Sequence, residues 1–212
     1  MEKISATKHR ILDAALHLFN TRGVAQVTVR DIAAHLGMSH GNLCYHYPNT
    51  GTLVEALYYR LVSEMDTAVE ASLQQAAESG IDLDFAYAQM QVAFSGLQRY
   101  KFLMLNFADV MRAYPALRAH YRALTQARKD QFNVLLNALE VGGWLAPERY
   151  KNQRAAWVEQ AALIGDFWIA SAEILSDDTP KEQLAHYLRL FILSLKPLMG
   201  DKGLDWAEKL GY

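Results

Sequence analysis

The residues from Ser39 to His46 concentrate side chains suited to recognition rather than reaction. Ser39, His40, Asn42, Tyr45 and His46 all carry hydrogen-bonding groups, and Gly41 among them leaves room for a close approach. An asparagine amide presents a donor and an acceptor side by side, which matches N6 and N7 of adenine in a major groove and discriminates between bases by on the order of 1–3 kcal/mol. Asn42 is therefore the leading base-reading residue, while Thr28, Arg30 and Lys8 suit phosphate oxygens. The sequence contains no nucleophile elbow, phosphate-binding glycine loop, metal-ligand spacing or pair of carboxylates in a catalytic setting, so an enzyme is not expected. Asp166, beside Phe167 and Trp168, comes nearest, but a lone acid in an apolar helix reads as a hydrogen-bonded interface residue or ligand contact before a general base. Six residues separate His40 from His46, which keeps two imidazoles off one helical face, so neither a metal nor a cofactor is expected.

The flanking sequence supplies elements that would present those groups. Ile11, Ala14, Ala15, Leu18 and Phe19 recur at helical spacing from Thr7 to Arg22, with Thr7 as an N-cap and Gly23 as the stop. Thr28-Val29-Arg30-Asp31 fits a capping box, which starts a second helix near Val29 that ends at Leu36. Gly37 suits a left-handed exit, and Ser39 is placed to cap a third helix from His40 to about His46. Ala33 allows the two short helices to approach, and Ile32, Leu36, Met38 and Leu43 supply a small core that fixes their crossing. This is the spacing of a helix-turn-helix whose free face enters a major groove; the competing reading is a helical hairpin within an ordinary core. After the turn signal Pro48-Asn49-Thr50-Gly51, Thr52 can cap a long helix through Leu53, Leu57 and Leu61 toward Ala77.

Helical periodicity continues over 83–100, 102–113, 116–141, 148–175 and 180–198, with a short amphipathic tail over 204–210 and no convincing strand. The expected fold is all-α, with a three-helix head at 1–51 and a larger helical domain at 52–212. The 212 residues, 51% of them hydrophobic, are enough for such a head and a main core. The net charge is −2, yet within residues 1–60 Lys3, Lys8, Arg10, Arg22, Arg30 and Arg60 outweigh Glu2, Asp13, Asp31 and Glu55, the better electrostatics for phosphates. The N-terminus lacks an apolar run of signal-peptide length, and the most apolar stretches are broken by Asp166, Arg189 and Lys196, so a cytoplasmic protein without a membrane span is expected. Cys44 is the sole cysteine, which excludes an intrachain disulfide. It is either an oxidation-sensitive group in the third helix or a small half-buried filler.

The run Ile11-Leu12-Asp13-Ala14-Ala15, then Phe19, Gly23, Thr28-Val29-Arg30-Asp31-Ile32-Ala33, Leu36-Gly37-Met38-Ser39 and Gly41-Asn42-Leu43-Cys44-Tyr45-His46-Tyr47 resembles the TetR/AcrR regulators over about the first 55 residues. The resemblance implies a homodimer that binds double-stranded operator DNA through the helix-turn-helix and is released by a small-molecule effector, with repression as the usual output. Two positions depart from the family pattern. Cys44 stands where a phosphate-contacting tyrosine is common, and Thr50 where a lysine often contacts the backbone, with Tyr45 and Thr52 as the available substitutes. The remainder resembles the family loosely, through Tyr100-Lys101-Phe102, Tyr114-Pro115-Ala116-Leu117-Arg118 and Phe167-Trp168, and implies a four-helix dimer interface from the last two long helices of each subunit.

Phe85, Met90, Phe94, Phe107, Met111, Phe132, Trp157 and Phe167 are candidates to line an apolar pocket, with Tyr100, Asn106 and Asp109 for polar contacts; most would serve a bundle core in any case. Leu184, Leu188, Phe191 and Leu195 form one apolar stripe of the last long helix, and with Ile164 and Trp168 they are the candidates for the dimer interface. The competing reading of that stripe is the central helix of a monomeric bundle. A second reading of the whole protein keeps the DNA-bound dimer but has the large domain bind a protein partner.

Overall fold

The computed structural model describes residues 6–212, and of residues 75–79 only the backbone. The reading of the extreme N-terminus made above therefore falls partly outside the described residues. The head begins with α1 (Ala6–Arg22), whose buried face carries Ile11, Leu12, Ala15, Leu18 and Phe19. Its start precedes Thr7, which sits in the first turn instead of capping it. Gly23, at φ 80°, closes the helix, and a 3-10 turn at Val24–Gln26 leads on. The capping box forms as the sequence requires: the Asp31 amide donates to Thr28 Oγ1, and the Thr28 amide donates back to Asp31 Oδ2 at 2.8 Å. It opens α2 (Val29–Leu36), which ends on Gly37 in the left-handed conformation at φ 64°. Ser39 Oγ then accepts from the Asn42 amide at 3.2 Å and opens α3 (His40–His46). Ile32, Ala33 and Leu43 are buried between these helices, with Leu36 and Met38 half-buried beside them.

The long helix α4 (Thr50–Ser79) starts two residues before the expected cap. Asn49 caps it, its Oδ1 accepting from the Thr52 amide at 3.0 Å, because an asparagine carbonyl reaches the third helical amide better than a residue already inside the turn. At 1.5 Å per residue the helix runs about 45 Å, so it packs on α1 at one end and walls the larger domain at the other.

That domain is built from α5 (Leu83–Arg99), α6 (Lys101–Leu105), α7 (Phe107–Ala113), α8 (Pro115–Val141), α9 (Gln153–Leu175), α10 (Pro180–Leu195) and α11 (Asp201–Lys209). Three expectations need correction. The segment expected as one helix over 102–113 is split at Asn106, whose side-chain amide donates to the Phe102 carbonyl at 2.8 Å while the backbone leaves helical geometry. The helix expected from Glu148 starts at Gln153, after Asn152 takes a left-handed conformation at φ 67°. The last long helix ends at Leu195 and tightens into a 3-10 turn at Lys196–Leu198, since Pro197 has no amide hydrogen with which to continue it. Among the described residues there is no strand, only an isolated bridge between Leu145 and Met199.

Aromatic side chains weld the core. Phe94 stacks on Trp168 with centroids 5.3 Å apart and meets Phe191 edge-on, and Trp157 lies between Phe132 and Phe191. The tail helix is pinned by Trp206 Nε1, which donates to Asp84 Oδ1 at 2.8 Å. No helix among the described residues is long and apolar enough to cross a membrane.

Candidate functional site

The exposed face of α3 carries Ser39, His40, Gly41, Asn42 and Tyr45, with Cys44 and His46 half-buried at its edge. Leu43, buried on the opposite side, holds that face outward. Tyr45 is 84% exposed, far more than a structural tyrosine needs to be. Arg30 is exposed on the first turn of α2, and Lys8 is half-buried on α1. The hydroxyls of the three threonines are already engaged: Thr28 donates to Asp31 Oδ2, Thr50 to the Val27 carbonyl and Thr52 to the Asn49 carbonyl. These bonds shape the helix starts of the head. The bonds from Thr28 hold the Asp31 carboxyl below its ordinary range. Cys44 Sγ lies 3.3 Å from His40 Nε2, one turn back. Among the described residues no three His, Cys, Asp or Glu side chains gather where they could hold a metal ion.

Head and body are joined through Arg60 of α4. Its Nη1 donates to Asp13 of α1 at 2.6 Å, and its Nε donates to the buried hydroxyl of Tyr100 at 2.7 Å. Tyr100 donates in turn to Glu64, which also pairs with Arg99. Two turns further along the same face of α1, Asn20 donates to the Arg99 carbonyl and accepts from the Phe102 amide, while Phe19 packs on Phe102. These contacts tie α4 and α6 to α1 and the head.

Between α4, α5, α8 and α9 lies a cavity of about 500 Å³, within the range of small-molecule sites. Phe85, Met90, Phe94, Phe107 and Phe132 line it, as their sequence positions suggest. Six other candidates lie elsewhere. Trp157 borders a separate void of about 20 Å³. Tyr100 is consumed by the Arg60 junction, and Asn106 by the break between α6 and α7. Asp109 is exposed and pairs with Arg112, Met111 is buried outside the lining, and Phe167 projects from the outer face of α9. The reason is common to all six: helical spacing identifies an apolar or polar position, whereas the packing of neighbouring helices decides whether it meets a void.

Of the cavity's polar groups, Asp166 stood out in the sequence as a hydrogen-bonded interface residue or ligand contact, whereas Tyr58 and Tyr121 did not. Tyr121 donates to Asp166 Oδ2 at 2.6 Å, and both residues line the cavity. Burial pushes the Asp166 carboxyl above its ordinary range, against the lowering effect of the tyrosine bond. Burial and the neighbouring carboxylate also raise the Tyr121 phenol. Tyr58, hydrogen-bonded to His120 at 2.9 Å, is pushed by burial up to about 12. The signal available for Asp166 was a single acid within an apolar helix.

The dimer candidates also need correction. Trp168, Leu188, Phe191 and Leu195 are buried within their own chain, and Ile164 and Leu184 are partly buried against the same core. The stripe on α10 is spent on the chain's own bundle. The apolar side chains that α9 and α10 leave outside include Leu163, Phe167 and Ile174, which recur along one face of α9, and Leu190 on α10; Ile174 is 79% exposed.

A head of this geometry on a larger helical body defines a helix-turn-helix regulator. Residues 11–57 match the family described as bacterial regulatory proteins of the tetR family, and residues 64–206 match that described as bacterial transcriptional repressor. The chain belongs to the TetR family of bacterial transcriptional regulators. It is 36% identical over 83 residues to the probable HTH-type transcriptional regulator ArpR of Pseudomonas putida, 39% of this chain and 37% of the relative. It is 37% identical over 71 residues to the HTH-type transcriptional regulator TtgR, also of Pseudomonas putida, 34% of each chain. The match thus spans about a third of the length of these curated relatives. A crystal structure of a TetR-family regulator from Marinobacter aquaeolei VT8 has the same fold, with a TM-score of 0.83 at 24% identity over 97% of this chain and 98% of that one.

Proposed function

We propose that the chain acts in the cytoplasm as a homodimeric repressor, holding a palindromic operator with one α3 from each protomer and releasing it when a small, largely apolar effector enters the cavity. The observation that carries this reading is α4: its first turns pack on the head, and its later turns wall a cavity large enough for a ligand. Residues 1–51 would serve as the DNA-binding unit and 52–212 as the sensing and dimerising unit. Asn42 and Tyr45 would contact bases, with Ser39, His40, Gly41 and His46 beside them and Lys8, Thr28, Arg30, Thr50 and Thr52 along the phosphates. An apolar cavity favours a small molecule over a protein partner, which would need a broad accessible surface. Release follows from linkage: the effector must bind the DNA-free arrangement more tightly than the DNA-bound one, and α4 is the element whose position differs between them.

The test is a fluorescence anisotropy titration on DNA from upstream of the protein's own gene, repeated at several salt concentrations. Asn42→Ala is expected to weaken palindrome binding by about 30-fold or more, because the dimer loses one bidentate base contact in each half-site. Binding that is equally strong on unrelated DNA, or unaffected by both Asn42→Ala and Tyr45→Ala, would overturn the assignment of α3.

A further inference from the structure

The charges around the cavity are unevenly satisfied. Arg128 and Lys129 line it, but the guanidinium pairs with Asp66 and the ammonium with Glu159, both partly exposed acids. Asp130 lines the same wall and accepts from Gln126 at 3.1 Å. Asp166 has the Tyr121 hydroxyl and, among the described residues, no cationic side chain within 4.0 Å. Phe107 meets Tyr121 edge-on with centroids 4.8 Å apart, so the ring bonded to the carboxylate is backed by a second that also lines the cavity. The rest of the wall is overwhelmingly aliphatic and aromatic, from Leu61 and Met65 on α4 to Phe94 on α5.

From this arrangement we infer that the effector is a lipophilic amine, its ammonium group paired with Asp166 beside the Phe107–Tyr121 rings and its apolar body filling the space toward α4 and α5. The inference rests on the cavity being the effector site. A carboxylate buried among apolar groups is costly until a cation accompanies it, and an aromatic face adds attraction for the same charge. A cationic ligand thus supplies the counter-charge that the chain does not. An anionic ligand would meet Asp166 with the two nearby cations already paired, and a neutral one would leave the acid as costly as before. The remaining titratable groups on the wall, Tyr58 and Tyr121, are held in their neutral hydroxyl form by burial and offer no competing charge.

Three probes of one shape separate the possibilities: diphenylpropylamine, diphenylpropanol and diphenylpropanoate, titrated calorimetrically into the full chain near neutral pH. The amine is expected to bind about ten-fold or more tightly than the alcohol, with the carboxylate weakest. In Asp166→Asn, which preserves the shape and an acceptor for Tyr121, the ratio of amine to alcohol affinity should fall toward one; circular dichroism establishes that the variant is folded. An alcohol or carboxylate that binds the native protein as well as the amine overturns the inference but leaves the cavity as a ligand site. Failure of all three to bind overturns both. A folded Asp166→Asn that keeps the full preference for the amine also overturns the assignment to Asp166.

Discussion

Replacing Tyr100 with phenylalanine isolates the polar part of the joint between head and body. The ring is fully buried, and Arg60 and Arg99 lie 5.5 and 5.3 Å from its centroid, contacts that phenylalanine retains. Only the hydroxyl is lost, and with it the bond from Arg60 Nε at 2.7 Å and the bond to Glu64 at 2.9 Å. A hydrogen bond to a charged partner contributes about 1.5–3 kcal/mol. The Glu64 side chain is 38% exposed, so water can replace the hydroxyl there and that bond counts for little. The Arg60 side chain is 12% exposed, and its nearest alternative partner for Nε is Glu64 Oε1 at 3.8 Å, which recovers part of the loss. Tyr100→Phe should therefore destabilise the protein by about 1–2 kcal/mol. Urea unfolding followed by circular dichroism should show a lower midpoint with an unchanged slope. A loss below about 0.5 kcal/mol, the range of an ordinary surface substitution, would show that solvent replaces the hydroxyl and that the junction is held by packing alone.

Three further substitutions probe the other elements. Gly37→Ala meets no neighbouring atom but must hold φ near 64°, so a cost of about 1–2 kcal/mol from backbone strain is expected in thermal unfolding; a neutral result would mean that the turn relaxes freely. Asp166 has its folded carboxyl raised above the ordinary value of 3.8, so between those two values the folded state holds more proton than the unfolded one and stability falls as pH rises. Asp166→Asn should accordingly raise the melting temperature at neutral pH, with the gain shrinking as pH drops toward 3.8, and a gain independent of pH would refute the account. Ile174→Glu places a charge on the exposed face of α9; light scattering should report a shift from dimer to monomer, and an intact dimer would place the interface elsewhere.

The head was legible in the sequence nearly to the residue because its signals are local. Thr28 and Asp31, Gly37, and Ser39 with Asn42 each act within three or four positions of backbone, so α2 and α3 begin and end where their side chains dictate. Local rules also misplaced some boundaries, as at the start of α4, where Asn49 and Thr52 both offered a cap and the reach of each side chain decided between them. For α10, the sequence establishes that two faces are apolar, yet not which neighbour covers each. Packing against α5 and α9 is what buries Leu188, Phe191 and Leu195 inside their own chain and leaves Leu163, Phe167 and Ile174 outside. Likewise Phe94 and Tyr100 are both buried aromatics on or next to α5, but the first borders a cavity and the second closes an ionic joint. Periodicity and caps can be read from the chain because they depend on neighbours a few residues away. Where the helices leave a gap, and that Asp166 lines it beside Tyr121, emerges when the helices are packed, because a void is a property of surfaces that meet across long separations in sequence.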